Sequence, residues 1–251
     1  MIRDRQLAVL KREEILPGVV RLTLKAPEEF LAEAAPGTFV QVEVPTEPFP
    51  ILRRPFTVSL REIDSFQIIF EARGRGTDIL AGLPEGTDLR VLGPLGEGYR
   101  MVKGRWLLIG GGMGAAGFPG LIREADCGMV LLGASSSRRL LPLEGRPECV
   151  TEDGSFGEKG LVTHLLPGIQ WREFSSVALC GPVGMMKAVV RSIPQEFTEM
   201  VQVSTEARMG CGWGACEGCS IPASGGGYFK CCTDGPVVPA VSIDWDRWEG
   251  V

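Results

Sequence analysis

Five of the eight cysteines in this 251-residue chain lie between Cys211 and Cys232, which makes this stretch the first candidate for chemistry. Cys211, Cys216 and Cys219 have the C-x4-C-x2-C spacing of thiolate ligands to a [2Fe–2S] cluster, and a fourth thiolate follows at Cys231 or Cys232. Four thiolates on two ferric ions leave a negative charge, so backbone N–H groups must surround them in a tight loop. The glycines that suit such a loop are Gly210, Gly212, Gly214 and Gly218.

A structural zinc site is the alternative use of the same cysteines. Zinc sites usually combine paired C-x2-C units, and only one such pair, Cys216 and Cys219, is clear in this sequence. The spacing therefore favours the iron–sulfur interpretation.

Two earlier segments have residues that could bind a phosphate and a flavin. In the stretch from Arg53 to Ser59, an arginine can clamp a phosphate, a ring can lie near a flavin and a hydroxyl can reach a ring nitrogen. About twenty residues later, Gly74-Arg75-Gly76-Thr77 opens a predicted helix, and free N–H groups at helix N-termini bind phosphate. Each signal alone is common in solvated turns and strand edges, but together they predict a pyrophosphate site.

Two glycine segments follow apolar runs in the second half of the chain. Gly110–Gly114 follows the run Trp106–Ile109 and precedes a helix, and Cys180-Gly181 ends a later strand. Ligands of α/β proteins collect at such carboxyl ends, so we expect a dinucleotide to bind there. The spacing is not G-x-G-x-x-G, and close packing alone could also explain the glycines. Cys180 taken alone is typical of a small buried hydrophobic residue.

The first hundred residues have the alternating pattern of β-strands. Apolar residues alternate with polar ones around Val20–Leu24, Val40–Val44 and Phe66–Phe70, and short turn-rich gaps separate these runs. This pattern predicts an antiparallel barrel or sandwich. It also predicts one short helix after Thr77, with Thr77 or Gly76 near its cap.

The pattern changes near Gly104, where continuous apolar runs begin to alternate with helical stretches. The runs are Trp106–Ile109, Met129–Leu132, Val177–Cys180 and Met200–Val203, and the helical stretches include Leu161–Leu166 and Met185–Val190. Buried strands that alternate with helices predict a parallel α/β sheet. From Met209 onward glycines and cysteines replace this periodicity.

The composition excludes several classes of protein. The net charge is −5, and no cluster of lysine and arginine suggests a nucleic-acid surface. The longest uncharged run, Trp106–Ile122, is interrupted by glycines and Pro119, and the first residues lack an apolar stretch. We therefore expect neither a membrane span nor a signal peptide, and we expect a reducing cytoplasm, where clustered cysteines hold metals more often than they form disulfides.

The order of these motifs resembles the ferredoxin-NADP reductase superfamily. The motifs are Pro36–Val40, Arg53–Thr57, Gly76-Thr77, Gly93–Gly96, Gly110–Gly114, Asp153–Ser155 and Cys180–Pro182. The tail, Glu206–Cys219 with Cys232–Val237, is more specific. It is similar to the family of electron-transfer subunits of two-flavin, NAD-dependent dihydroorotate dehydrogenases, which serve pyrimidine biosynthesis.

The resemblance implies three domains and a set of cofactor contacts. They are an antiparallel FAD-binding β-barrel over residues 1–103, an α/β parallel-sheet domain for the nicotinamide nucleotide over 104–205, and a small C-terminal [2Fe–2S] subdomain over 206–251. The implied FAD contacts are Arg54 on phosphate, Thr57 near the reactive flavin nitrogen, and Pro55, Phe56, Ile69, Phe70, Glu71, Gly76 and Thr77. The implied nucleotide contacts are Gly111, Gly112, Gly114, Cys180 and Gly181. The implied iron ligands are Cys211, Cys216, Cys219 and Cys232.

The resemblance also implies a partner. Such a subunit passes electrons between NAD and an FMN-containing catalytic subunit, as part of a heterotetramer. We see no acid–base constellation of its own, and we expect the only histidine, His164, on a helix surface.

Three alternatives remain open at this point. The chain could be an NAD(P)H reductase subunit of a sulfur-, hydrogenase- or ferredoxin-linked complex, or a zinc-stabilised binding module. The third alternative concerns the nucleotide, because the turn Ser135–Arg139 could accept the 2′-phosphate of NADPH. Separately, the glycine motif departs from the family pattern at Ala115–Pro119.

Overall fold

Seven antiparallel strands and two short helices form the first part of the structure. The computed structural model of the chain describes residues 3–45 and 50–250. The strands are β1 (Asp4–Leu16), β2 (Val19–Lys25), β3 (Phe39–Val42), β4 (Arg54–Thr57), β5 (Leu60–Arg61), β6 (Ser65–Glu71) and β7 (Asp88–Leu95), and the helices are α1 (Glu28–Glu33) and α2 (Arg75–Ala81). Their order in the sheet is β4-β3-β7-β1-β2-β6-β5.

The first sheet curls until strands from its two ends meet. Phe56 on β4 and Phe70 on β6 pack with their ring centroids 4.8 Å apart, and the Ser59 N–H donates to the Gln67 carbonyl at 2.8 Å. Val40 and Val42 point into this barrel and are buried, as the alternation predicts. Each fully buried side chain of this size contributes about 1.5–3 kcal/mol.

A second sheet of mostly parallel strands follows. Its strands are β8 (Arg105–Gly111), β9 (Asp126–Ala134), β10 (Glu148–Thr151), β11 (Glu158–Lys159), β12 (Ser176–Cys180) and β13 (Val201–Ser204), and its helices are α3 (Phe118–Glu124) and α4 (Val183–Ser192). Strand order is β11-β10-β9-β8-β12-β13. Both faces are covered: Leu107 and Ile109 pack on one side, and Trp106 and Leu108 on the other. This arrangement confirms the predicted α/β sheet.

The tail forms a hairpin and then returns to the second sheet. The hairpin strands are β14 (Ser220–Pro222) and β15 (Tyr228–Lys230). A last strand, β16 (Val237–Pro239), pairs antiparallel with β13 at the sheet edge. The cysteine-rich tail is therefore anchored to the second sheet by its own backbone.

Two local predictions differ from the structure. The short helix predicted around Thr77 is confirmed, but it begins at Arg75 and its cap is Gly74, because the Thr77 hydroxyl accepts the Gly74 N–H at 3.2 Å. The helical stretch predicted at Leu161–Leu166 is a 3-10 helix at Val162–Gly168 that contains Pro167, which cannot continue an α-helix. His164 is exposed on it, as predicted.

Among the described residues, no helix is long and apolar enough to cross a membrane.

Candidate functional site

Cys219 and Cys232 form a close pair of thiols at the base of the hairpin. Their Sγ atoms lie 3.2 Å apart, and both side chains are buried. The hairpin causes this pairing, because β14 begins directly after Cys219 and the Cys231 N–H donates to the Cys219 carbonyl at 3.0 Å. Burial, together with the nearby thiols of Cys219 and Cys211, raises the pKa of Cys232 to about 12.

Cys211 and Cys216 form a second pair on the preceding loop. The Cys211 Sγ accepts a hydrogen bond from the Trp213 N–H at 3.4 Å. Burial would raise the pKa of Cys211, but the N–H groups of Trp213 and Cys216, with the Cys216 thiol, outweigh burial and lower it to about 6. Gly212 and Gly214 hold left-handed φ angles of 82° and 87°, which let the loop turn its amides inward.

The two thiol pairs fit a two-iron cluster, in which each iron takes two protein ligands. The Gly214 N–H lowers the pKa of Cys232, so a backbone N–H acts on each pair. The space near Cys216 is kept open by glycine, since a Cβ at Gly210 would lie 3.2 Å from the Cys216 Sγ. Over residues 3–45 and 50–250, no three His, Cys, Asp or Glu side chains are grouped to hold a single metal ion.

The thiol of Cys231 is engaged away from these pairs. Its Sγ lies 3.4 Å from the Thr205 hydroxyl, which itself donates to the Pro236 carbonyl at 2.8 Å. Burial raises the pKa of Cys231 to about 12, so its thiol is protonated at neutral pH. This geometry supports Cys232 as the fourth ligand, and that assignment stays a prediction.

Gln41 lies under the cysteine loop, a placement that the sequence analysis missed. Its side chain is fully buried, and a Cβ at Gly212 would lie 2.7 Å from its Nε2. It lies on the face of β3 opposite the inward Val40 and Val42. No signal in the sequence shows that a loop from the far end of the chain covers this face.

The two predicted pyrophosphate segments meet at Arg54 and Gly76. A Cβ at Gly76 would lie 2.9 Å from the Arg54 Nε, so the guanidinium packs directly on the first turn of α2. Arg54 also donates to the Leu52 carbonyl at 2.7 Å. The neighbouring Arg53 instead pairs with Asp4 at 2.9 Å and Glu43 at 3.0 Å, which leaves Arg54 as the arginine for a phosphate.

The predicted flavin-lining residues divide between the barrel core and its surface. Phe56 and Phe70 are buried in the core, and Ile69 is buried against the second sheet. Pro55 and Thr57 are half-buried on β4. Thr57 faces the second sheet, since a Cβ at Gly117 would lie 3.0 Å from the Thr57 Cγ2. The Thr57 side chain therefore lies near the junction where a flavin and a nicotinamide would have to meet.

Glu71 joins this site to the serine–arginine turn of the second sheet. Its carboxylate forms ion pairs with Arg73 and with Arg139. Arg138 is exposed beside it on the same turn. Arg139, which the sequence offered as a partner for a 2′-phosphate, already has a carboxylate partner from the flavin-lining strand.

The two glycine segments predicted to bind a nucleotide lie side by side. Gly110 is paired with Cys180 across β8 and β12. A Cβ at Gly114 would lie 2.6 Å from the Cys180 carbonyl carbon, and one at Gly181 would lie 3.1 Å from Gly111. Gly112, at φ 51°, faces open space. The structure thus brings all five predicted nucleotide residues to one end of the sheet.

Cys180 lies beside two polar side chains that the sequence analysis did not single out. Burial raises the pKa of Cys180 to about 12, against a hydrogen bond with Ser204 that lowers it. Burial also raises the pKa of Tyr99 well above its ordinary value, again against a hydrogen bond with Ser204. These side chains are protonated and neutral at physiological pH.

Comparisons with known proteins identify the family. Residues 206–244 match the model of the iron-sulfur cluster binding domain of dihydroorotate dehydrogenase B. The chain is 36% identical to the dihydroorotate dehydrogenase B (NAD(+)), electron transfer subunit of Lysinibacillus sphaericus, over 97% of this chain and 99% of the relative. The chain belongs to this family of electron-transfer subunits. The family prediction is therefore confirmed.

Other members of the electron-transfer subunit family match over a similar length. The Geobacillus kaustophilus subunit is 37% identical over 97% of this chain and 99% of its own. The Aquifex aeolicus protein, named an electron transfer subunit homolog, is 34% identical over 97% and 99%.

Solved structures of other proteins have a fold similar to that of this electron-transfer subunit. The NADH-dependent reduced ferredoxin-NADP oxidoreductase, solved in a study of flavin-based electron bifurcation, matches with a TM-score of 0.84 and 27% identity, over 97% of this chain and 91% of that one. A Neisseria gonorrhoeae ferredoxin NADP+ reductase with bound FAD and NADP matches with a TM-score of 0.63 and 15% identity, over 80% and 97%. The predicted fold class is confirmed, and the residue assignments stay predictions.

Proposed function

We propose that this electron-transfer subunit passes electrons between NAD and an FMN-containing dihydroorotate dehydrogenase catalytic subunit, through FAD and a [2Fe–2S] cluster. It serves pyrimidine biosynthesis in the cytoplasm, in a heterotetramer with that catalytic subunit. The name of its relatives supports the partner, and the domain matched at 206–244 supports the cluster.

The position of one strand pair carries this proposal. Thr57 on β4 packs on Gly117, next to the nucleotide loops. Pro55, two residues earlier, is paired across the strands with Gln41, which packs on Gly212 of the cysteine loop. The β3–β4 pair thus reaches the nucleotide end of the second sheet through Thr57 and the cysteine loop through Gln41.

When bound, FAD exchanges a hydride with the nicotinamide and single electrons with the cluster, and so links a two-electron carrier to a one-electron carrier. The residues of the chain supply position and charge. Arg54, with Gly76 and Thr77, binds the pyrophosphate, and the Thr57 hydroxyl orients the reactive edge of the ring. The remaining proposed flavin contacts are Pro55, Phe56, Ile69, Phe70 and Glu71.

At the cluster site and the nucleotide site, backbone groups contribute as much as side chains do. Four thiolates, from Cys211, Cys216, Cys219 and Cys232, hold the irons, and the N–H groups of Trp213 and Gly214 offset their charge. The glycines let the nucleotide backbone approach the sheet closely. The nucleotide contacts are Gly111, Gly112, Gly114, Cys180 and Gly181.

The Glu71 contact favours NAD over NADP as the nucleotide. A 2′-phosphate would have Arg138 and Arg139 of this turn as possible cation partners. Glu71 already holds the Arg139 guanidinium, whereas Arg138 is exposed. Recruiting Arg139 to a 2′-phosphate would therefore cost an ion pair that binding NAD leaves intact.

We divide the chain into three functional domains, with the flavin domain at 1–103, the nucleotide domain at 104–205 and the cluster subdomain at 206–251. The cluster subdomain contributes β16 to the nucleotide sheet. This pairing supports a fixed position of the cluster subdomain on the nucleotide domain.

The direct test is the composition of the purified chain and its reaction with NADH. We expect about one FAD and two irons per chain, with flavin and cluster bands in the visible spectrum. Stopped-flow mixing with NADH should bleach the flavin. A colourless protein that contains zinc would overturn the electron-transfer function.

A second candidate is a reductase subunit for a different acceptor. The match to the NADH-dependent reduced ferredoxin-NADP oxidoreductase, at 27% identity, is the observation that favours it. Isolating the complex from cells separates the two candidates. Co-purification with an FMN-containing dihydroorotate dehydrogenase supports the first, and a sulfur-, hydrogenase- or ferredoxin-linked partner supports the second.

A further inference from the structure

The amide of Gln41 is buried without a hydrogen-bond partner. Its side chain has no exposed surface, and neither Nε2 nor Oε1 finds a partner among the described residues. A buried amide without a partner is costly, because it has given up its hydrogen bonds to water. A bound group beside this amide would restore the missing hydrogen bonds.

The surroundings of Gln41 show on which side that partner must lie. Behind it, Val40 and Val42 point into the apolar barrel core. On both sides β3 is flanked by strands, with Pro55 of β4 and Leu92 of β7 opposite Gln41. The open direction is toward the cysteine loop.

The cysteine loop is shaped to admit this amide. A Cβ at Gly212 would lie 2.7 Å from both the Cγ and the Nε2 of Gln41. Gly212 also has a φ of 82°, a conformation that favours glycine. Glycine at this position therefore lets Gln41 approach the residue directly after the proposed iron ligand Cys211.

We propose that the Gln41 amide donates a hydrogen bond to the sulfur atoms of the [2Fe–2S] cluster and raises its reduction potential. This rests on the proposed function, which places the cluster on Cys211, Cys216, Cys219 and Cys232. A reduced cluster has one more negative charge, so an N–H donor stabilises the reduced state more than the oxidised state. Because Gln41 is paired with Pro55 of β4, its hydrogen bond reaches the cluster from the side of the proposed flavin-binding strand.

The test uses the holoprotein and two variants at position 41. Gln41→Leu keeps the volume and removes the donors, and Gln41→Glu keeps the shape and replaces the amide nitrogen by an oxygen. A redox titration followed by electron paramagnetic resonance gives the cluster potential. We expect both variants to lower the cluster potential and to leave the flavin potential unchanged. A tenfold change in the one-electron equilibrium corresponds to a shift of about 59 mV.

A control variant and a second spectroscopic measurement make the test specific to Gln41. Gln6→Leu removes an exposed amide from β1 of the same barrel and should leave both potentials unchanged. Electron–nuclear double resonance of the reduced cluster in D2O should show an exchangeable proton coupling in the wild type that Gln41→Leu lacks.

Each outcome decides between named alternatives. An unchanged cluster potential together with an unchanged proton coupling overturns the role of Gln41, and so does a shift confined to the flavin. If Gln41→Leu fails to assemble, Gln41→Glu and the wild-type coupling still decide the question. A wild type that holds no iron overturns the proposed function instead, and the iron count distinguishes that failure from the failure of this inference.

Discussion

The guanidinium of Arg54 occupies the space beside Gly76 that any larger residue would need. A Cβ at position 76 would lie 2.9 Å from the Arg54 Nε and 3.0 Å from its Nη2. We expect Gly76→Ala to displace the guanidinium from the proposed pyrophosphate site and to weaken FAD binding about tenfold, the effect of roughly 1.4 kcal/mol. Fluorescence titration of the FAD-stripped protein with FAD measures this.

Gly82→Ala is the matched control at the other end of the same helix. A Cβ there would be 3.6 Å from the nearest atom, an ordinary contact, so FAD binding should not change. Equal losses in both variants would show that α2, and not the contact with Arg54, controls FAD binding.

Cys231 and Cys232 should respond differently to replacement by serine. Cys232 lies against Cys219, whereas Cys231 lies against Thr205. A serine oxygen is a poorer ligand than thiolate for these irons, so Cys232→Ser should lose or destabilise the cluster and bleach its visible bands. Cys231→Ser should keep those bands, and both variants should keep FAD. The opposite result would show that the ligand register is off by one residue.

Much of the fold followed from residue patterns, and the remainder depended on contacts between distant segments. The alternation at Val20–Leu24 and the apolar run Trp106–Ile109 predicted their strands, because burial of one or both faces leaves a local signature. The pairing of β16 with β13 and the burial of Gln41 left none, since both depend on where the tail returns. The cysteine spacing predicted the metal centre but not the orientation of Cys231.

The contact between Gly114 and Cys180 should control the use of NADH. A Cβ at Gly114 would lie 2.6 Å from backbone atoms of Cys180, and neither backbone segment can move cheaply. We expect Gly114→Ala to separate the two nucleotide loops and to slow flavin reduction by NADH by about tenfold or more, since overpacking costs about 1–3 kcal/mol. Stopped-flow absorbance measures this rate.

The control for this variant is Gly184→Ala in α4. A Cβ there meets no atom within 4 Å, and alanine is the better helix former by about 1 kcal/mol. The variant should reduce its flavin at the normal rate and should unfold at a slightly higher temperature. If Gly114→Ala also keeps the normal rate, NADH binds elsewhere.

Releasing Arg139 should improve the reaction with NADPH. In Glu71→Gln the side chain keeps its size and loses its charge, so Arg139 becomes free to meet a 2′-phosphate. We expect the wild type to prefer NADH, and we expect the variant's KM for NADPH to fall on the order of tenfold, the value of one charge-assisted hydrogen bond. Steady-state kinetics with each nucleotide measures this. A wild type that prefers NADPH, and loses that preference in Arg138→Ala or Arg139→Ala, would contradict the assignment of NAD.

Dihydroorotate-dependent reduction of NAD+ is the measurement that tests the central claim most directly. The purified chain should pass electrons from NADH to artificial acceptors and leave dihydroorotate unchanged. After an FMN-containing dihydroorotate dehydrogenase catalytic subunit is added, absorbance at the NADH band should rise with dihydroorotate consumption, and Cys232→Ser should abolish that rise. Failure to bind the catalytic subunit, or equal NADH formation with the Cys232→Ser chain, would contradict the proposed electron path.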